Sequence, residues 1–339
     1  MNEKTLHDTA LGMVARGRGI LAADESTSTI GKRFDGIKVE NTEDNRRAYR
    51  DMLFTAPGCE EFTSGVIFYE ETLFQKSADG TPFPQLLAKK GILPGIKVDK
   101  GTKALPGSPN ETITEGLDGL RERLAKYKEA GARFAKWRAV ITIGGGIPTD
   151  YCIHTNAHAL ARYAALCQEQ DIVPIVEPEV LMDADNTIEV CEDVTNRTLQ
   201  AVFNELRAQR ILLEGMILKP NMVIAGKKCA KQADRGAVAA ATLRTLKRHV
   251  PAAVPGIAFL SGGQSDEDAT AHLDEMNRLG GGPWVLSFSY GRALQAAALK
   301  AWSGRKENVA AGQRAYIHRA RMNGLAATGR WEQKLEKAA

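Results

Sequence analysis

No apolar run in these 339 residues approaches the roughly 18 to 20 that a membrane-spanning helix needs, which argues against a transmembrane chain. The N-terminus, Met1-Asn-Glu-Lys-Thr-Leu-His-Asp8, lacks the apolar core of a secretory signal, so the cytoplasm is the expected compartment. Cysteine is sparse. Cys59, Cys152, Cys167, Cys191 and Cys229 are odd in number, widely spaced and without a Cys-x-x-Cys pair, which argues against a disulfide framework and a thiolate zinc site. His154 and His158 stand four apart and would share a helix face, but no third ligand accompanies them, and a structural role is expected. Basic blocks and an RNA-binding aromatic signature are also missing, and a net charge of +4 is too mild for a nucleic-acid binder. No Pro- or Ser-rich linker divides the chain, and no internal repeat is visible.

What is present suits a globular α/β protein: 43% hydrophobic and 25% charged residues, in a length that one barrel can use as a unit. Short β-rich runs recur at 20–23, 65–69, 92–98, 134–141, 172–177, 215–219, 256–260 and 284–289. Between or after them, apolar residues spaced by three and four predict helices over 114–130, 151–170, 186–209, 235–249, 265–279 and 291–303. Strand, loop and helix in alternation imply parallel strands with crossover helices, in a closed barrel or an open doubly wound sheet. Even spacing of near-continuous apolar strands, with charged or hydroxyl residues at their C-terminal ends, favours closure into a (β/α)8 TIM barrel. The expected organisation is one barrel domain over 1–339, with an N-terminal helix within 1–18 and a helical extension and tail over 305–339. Within that extension, 308–325 is expected as an outer helix and 332–339 as a frayed end. Residues 57–61 read as a loop, Gly144–Gly146 and Gly280–Gly282 as turns, and Ser303-Gly304 as the end of the last barrel helix.

Lys219 closes the apolar run 211–221. A buried ammonium costs several kcal/mol unless it is paired or loses its proton, so Lys219 is either a lysine whose head reaches solvent or a neutral amine able to form a Schiff base. Other strand ends bear on that choice. Asp24 leaves the first strand as a possible proton acceptor or as an N-cap, a task Ser26 or Ser28 would serve equally. Lys97 and Lys136 lie in apolar company on the third and fourth strands. A cation beside Lys219 would lower its pKa, while Lys97 and Arg138 could hold a phosphate, or Lys97 could bridge to Asp99. Glu177 and Glu179 flank Pro178 at the end of the fifth strand as acid and base groups, or as counter-ions for Lys136 or Lys219. After the seventh and eighth strands, the turns 259–264 and 287–292 offer Gly and Ser amides and Arg292, an anion site typical of barrels.

Taken in order, the motifs 20–26, 41–47, 95–101, 134–138, 175–179, 213–222, 260–265 and 288–295 cover nearly the whole chain. Together they make it resemble class I fructose-1,6-bisphosphate aldolase, the metal-independent Schiff-base type. The resemblance implies Lys219 as Schiff-base lysine, Glu177 as the main acid/base and Asp24 nearest the C4 hydroxyl, with Lys136 and Glu179 in support. It further implies Ser261, Gly262, Gly291 and Arg292 around one phosphate. Ser26, Thr29, Arg33, Lys97 and Arg138 would contact substrate and the other phosphate. No cofactor is implied; the expected partner is a phosphorylated sugar, and a homotetramer is usual. Thr29 replaces a serine common in animal members and keeps the hydroxyl. Animal members end in a longer tail whose terminal tyrosine assists proton exchange, whereas this sequence stops at Lys337-Ala-Ala339, so the group that protonates the enamine is left unassigned.

Two competing readings are a pyridoxal-phosphate barrel carrying its cofactor on Lys219, and a scaffold that binds phosphorylated or acidic partners without catalysis. Asp24 and Glu177 count against the second, because anion binding gains nothing from carboxylates.

Overall fold

Runs buried on both faces can satisfy their backbone groups only against other strands. In the computed structural model, which describes residues 1–337, they form a closed parallel barrel. Its strands are β1 (Gly19–Ala23), β2 (Thr63–Phe68), β3 (Leu93–Lys97), β4 (Phe134–Ile141), β5 (Val173–Val180), β6 (Ile217–Leu218), β7 (Gly256–Phe259) and β8 (Val285–Tyr290). Each strand pairs with its neighbours in sequence, and β8 closes on β1 through Ile20↔Ser289 and Leu21↔Tyr290. Helices cross over between strands, and Val309–Ala326 packs outside on Arg292–Trp302 and Asp266–Arg278.

The apolar residues divide between two compartments. Most lie between strands and surrounding helices, with Trp137 stacked on Tyr163 and Phe54 edge-on to Phe68 and Phe83. A smaller cluster fills the barrel interior: Ile20, Ile67, Phe134, Val173, Ile175, Ile217 and Ala258, joined by Leu6, Ala10, Met13 and Val14. The helix Glu3–Met13 therefore plugs the lower end of the barrel. Glycines make room for this packing: a Cβ on Gly95 would lie 2.2 Å from the Phe134 ring, and one on Gly256 would lie 2.5 Å from Val14.

Strand boundaries agree with the sequence reading to within a few residues, and β6 is the shortest, with two residues in place of the five expected. The helix expected over 114–130 begins only at Leu120. Residues Thr112–Thr114 instead pair antiparallel with Thr102–Ala104 as a small hairpin. Gly116 at φ 125° and Gly119 at φ 65° carry the chain away from the helical region. The segment 57–61 contains a short 3-10 turn, Cys59–Glu61. The tail is more ordered than expected: Gln333–Lys337 is a 3-10 turn, Glu336 is ion-paired with Arg319, and the Trp331 amide donates to Asp274 Oδ1 at 2.8 Å. Residues 338–339 of the expected frayed end lie outside the described residues. Ser303, left-handed at φ 48°, caps the last barrel helix as expected.

Candidate active site

Parallel strands direct their C-terminal ends to one face of the barrel, and that face opens into a cavity of about 420 Å³. Every site residue named from the sequence lines it: Asp24, Ser26, Thr29, Arg33, Lys97, Lys136, Arg138, Glu177, Glu179, Lys219, Ser261, Gly262, Gly291 and Arg292.

The backbone that carries Lys219 is fixed from both sides although β6 is short. Its amide donates to Val176 O at 2.8 Å, and the next carbonyl, Pro220 O, accepts from Leu260 N at 3.1 Å. Asn221 adds a stitch to the neighbouring strand β5, its Oδ1 accepting from Val180 N at 3.0 Å. The Lys219 side chain is 5% exposed, so the alternative in which its head reaches solvent does not hold.

Four ionisable groups meet at the floor of the cavity. Lys136 Nζ lies 2.7 Å from Asp24 Oδ2 and 3.3 Å from Glu177 Oε2, while Lys219 Nζ lies 3.1 Å from Glu177 Oε1. Two carboxylates and two amines thus share a largely buried space, and Glu177 bridges both amines. Glu177 Oε2 has no hydrogen-bond partner among the described residues, the Lys136 ammonium at 3.3 Å lying outside hydrogen-bond geometry. Burial alone would raise the Asp24 carboxyl, but Lys136, Lys219 and Lys97 hold it well below the usual carboxylate range. Burial likewise works against the Lys136 ammonium, and Asp24, Glu177 and Asp99 more than offset it, raising its affinity for the proton. Asp24 is not the N-cap of helix Thr27–Asp35; Ser26 caps it by accepting from Thr29 N.

Farther up the wall, Lys97 Nζ pairs with Asp99 Oδ1 at 2.7 Å, so the bridge weighed from the sequence is present. Glu179 is the counter-ion of Arg138 and contacts neither lysine, which corrects one alternative raised for it. Across the cavity, the turn after β7 holds Gly262 at φ 58°, and Arg292 Nη2 donates to Gly262 O at 2.6 Å. This joins the two glycine-bearing turns into one rim. Arg33 reaches the same rim, 3.8 Å from where a Gly291 Cβ would stand, and is ion-paired with Glu25.

A family profile described as fructose-bisphosphate aldolase class-I matches residues 5–339. The chain belongs to that family. A probable fructose-bisphosphate aldolase class 1 of Xanthomonas campestris is 58% identical over 333 residues, covering 98% of this chain and all of the relative. Cytosolic fructose-bisphosphate aldolase 6 of Arabidopsis thaliana is 56% identical over 317 residues, 93% of this chain and 88% of the relative. Among solved structures, the fructose-bisphosphate aldolase of Plasmodium falciparum, crystallised with TRAP and a small-molecule inhibitor, superposes with a TM-score of 0.96 at 53% identity. The match covers 97% of this chain and 96% of that one. The aldolase accordingly catalyses the metal-independent, reversible cleavage of fructose 1,6-bisphosphate into dihydroxyacetone phosphate and glyceraldehyde 3-phosphate.

Several cavity residues of this aldolase escape a reading of strand ends alone. Glu25 accepts from Arg33 and from Gln295 Nε2 at 2.9 Å, with Arg50 Nη2 3.7 Å away and fully buried. The adjacency of Glu25 to Asp24, and a buried arginine in the apolar stripe of Tyr49 and Leu53, were the available signals. Ser289 is 1% exposed, its hydroxyl has no hydrogen-bond partner among the described residues, and it lines the cavity two residues beyond Ser287 on the same strand face. Lys227 and Asp183 sit at the mouth, on loops whose sequence carries no strand-end signature.

Proposed function

We propose that Lys219 is the nucleophile of this aldolase and forms the Schiff base with the C2 ketone of fructose 1,6-bisphosphate. The observation that carries the reading is the sharing of Glu177 between Lys219 and Lys136. Lys136 retains its charge because Asp24 and Glu177 stabilise the ammonium, so it serves as a fixed cation, and Lys219 is the amine whose proton can pass to the adjacent carboxylate. Glu177 is in place to accept that proton at 3.1 Å and to return it as the carbinolamine loses water. Glu177, again a carboxylate after the dehydration, takes the C4-hydroxyl proton as the iminium draws the electrons of the C3–C4 bond; glyceraldehyde 3-phosphate leaves, and an enamine stays on Lys219. Asp24, held as a carboxylate, accepts a hydrogen bond from the C4 hydroxyl and keeps Lys136 oriented toward the reacting carbon. Glu179 acts through Arg138, fixing the guanidinium on the cavity wall.

Two sets of polar groups at the cavity rim suit the two phosphates. Ser261, Gly262, Gly291 and Arg292 form one; Ser26, Thr29, Arg33, Lys97 and Arg138 form the other and contact the sugar, with Arg33 standing where the two sets meet, beside Gly291. The cations of the second set start out paired with Glu25, Asp99 and Glu179, and a dianionic phosphate competes for them. The proposal extends to a homotetramer acting in the cytoplasm as part of glycolysis and gluconeogenesis. The cytosolic name of the Arabidopsis relative and the lack of any described helix long and apolar enough to cross a membrane support that location.

Borohydride trapping with fructose 1,6-bisphosphate, followed by peptide mapping, tests the chemistry. Label is expected on Lys219 alone; label elsewhere, or full activity in Lys219→Met, defeats the assignment. Sedimentation at micromolar concentration tests the tetramer.

A further inference from the structure

Among the described residues lining the cavity, Lys227 is the cation to which no role has been given. We infer that Lys227 is a specificity-determining residue that closes over the phosphate held by the 261–263 turn, an inference resting on the proposed role of that turn.

Three observations carry it. First, the ammonium is aimed at the turn: a Cβ on Gly263 would stand 1.8 Å from Lys227 Nζ, so the side chain lies directly against the Gly263 backbone. Second, the backbone that launches it is fixed. Lys227 N donates to Met182 O at 2.7 Å, flanked by Gly226 N to Asn186 O at 2.8 Å and Lys228 N to Ala184 O at 3.0 Å. A Cβ on Gly226 would meet Ala184 O at 2.2 Å, so only glycine permits this close seam. Third, the present partner of Lys227 is weakly held. Asp183 Oδ1 lies 3.2 Å away, with the two side chains 39% and 66% exposed, and solvent screens such a pair strongly. A dianionic phosphate against the turn outcompetes one exposed carboxylate. Arg292, bonded to Gly262 O, and Lys227, lying on Gly263, then bracket the phosphate with two cations. Arg292 supplies a rigid fork and Lys227 a mobile point charge.

The test compares Lys227→Met, Lys227→Arg and Asp183→Asn with the parent enzyme. Half-saturation of borohydride trapping is measured with dihydroxyacetone phosphate and with unphosphorylated dihydroxyacetone, and inorganic phosphate affinity is measured by calorimetry. Loss of one charge-assisted contact should weaken dihydroxyacetone phosphate and inorganic phosphate by about ten-fold in Lys227→Met. Trapping of dihydroxyacetone should be unchanged, and Lys227→Arg should restore most of the loss. Asp183→Asn should bind phosphate at least as tightly as the parent, because it frees the ammonium. The inference is overturned if Lys227→Met affects both ketones equally or neither, or if Asp183→Asn weakens phosphate as much as Lys227→Met does, since a merely structural ion pair fails alike from either side. Calorimetry with phosphate does not depend on Schiff-base formation, so failure of the Lys219 assignment would appear separately, as missing label in the parent enzyme.

Discussion

A lysine can serve as a nucleophile only where the surrounding charge is carried by something else, and here Lys136 carries it. Lys136→Met should therefore lower kcat by about a hundred-fold or more with a small change in KM, because two buried carboxylates lose their cation while the phosphate groups are untouched; steady-state kinetics on fructose 1,6-bisphosphate checks this. A second residue links protonation to stability. Burial lowers the pKa of His272 from 6.5 to about 4, with Arg235 adding to the effect and Asp268 opposing it. Its Nδ1 donates to Gln264 Oε1 at 2.6 Å, and Gln264 Nε2 donates to Ser261 O at 3.2 Å, so the neutral imidazole braces the phosphate turn. As pH falls below 6.5 the unfolded chain takes up this proton before the folded one, so folding stability declines until about pH 4. The decline amounts to about 3 kcal/mol at most from this group. Urea unfolding of His272→Asn across that range should show the pH slope reduced by about one proton. At this scale the sequence was informative where chemistry sat at a strand end, as at Asp24, Glu177 and Lys219. It said little of pairing: nothing in the string 176–179 tells that Glu177 spans two lysines while Glu179 turns to Arg138, because that depends on the register of the strand against Phe134–Ile141 and on Lys219 standing at its other side.

Elements bring these residues to the cavity through caps and clasps. Ser26 both caps Thr27–Asp35 and lines the cavity. Ser26→Ala is expected to cost about 1 kcal/mol of stability and to raise KM, as read by thermal unfolding and kinetics. The hairpin 102–114 is held to the start of helix Asp150–Glu169 by Glu111, which is 2% exposed and accepts from Thr149 N at 2.8 Å and Thr149 Oγ1 at 2.6 Å. Glu111→Ala removes both bonds and should cost about 2 kcal/mol or more, with faster proteolysis within 102–114 and a higher KM, since Gly101 and Thr102 line the cavity. This hairpin is where the sequence misleads. Leu117, Leu120, Leu124 and Tyr127 form a helical stripe, but a Cβ on Gly116 would meet Lys100 N at 2.9 Å, a close approach that periodicity cannot reveal. Strands such as Phe134–Ile141, long and buried on both faces, are legible to the residue.

At the scale of the whole molecule, the closed barrel separates a charged upper chamber from an apolar lower one. Leu6→Ala, in the plug, should lower the unfolding free energy by about 2–5 kcal/mol while the folded fraction keeps its kcat, as measured by urea unfolding beside active-site titration. The eightfold alternation was readable because each strand is itself a short apolar run set off from an amphipathic helix. The plug was not, because a short amphipathic helix at a chain end carries no sign of which cavity receives it. Synthesis runs toward the C-terminus, so Ile217, which shares the helix's cluster, is made about 200 residues after it, and Ala258 of the same cluster and Gly256, against which Val14 packs, about 240 residues after it. At about 5–20 residues per second, Leu6, Ala10, Met13 and Val14 wait roughly ten to fifty seconds for burial. Throughout that interval the nascent chain offers an unshielded apolar helix to whatever chaperone or neighbouring chain it meets.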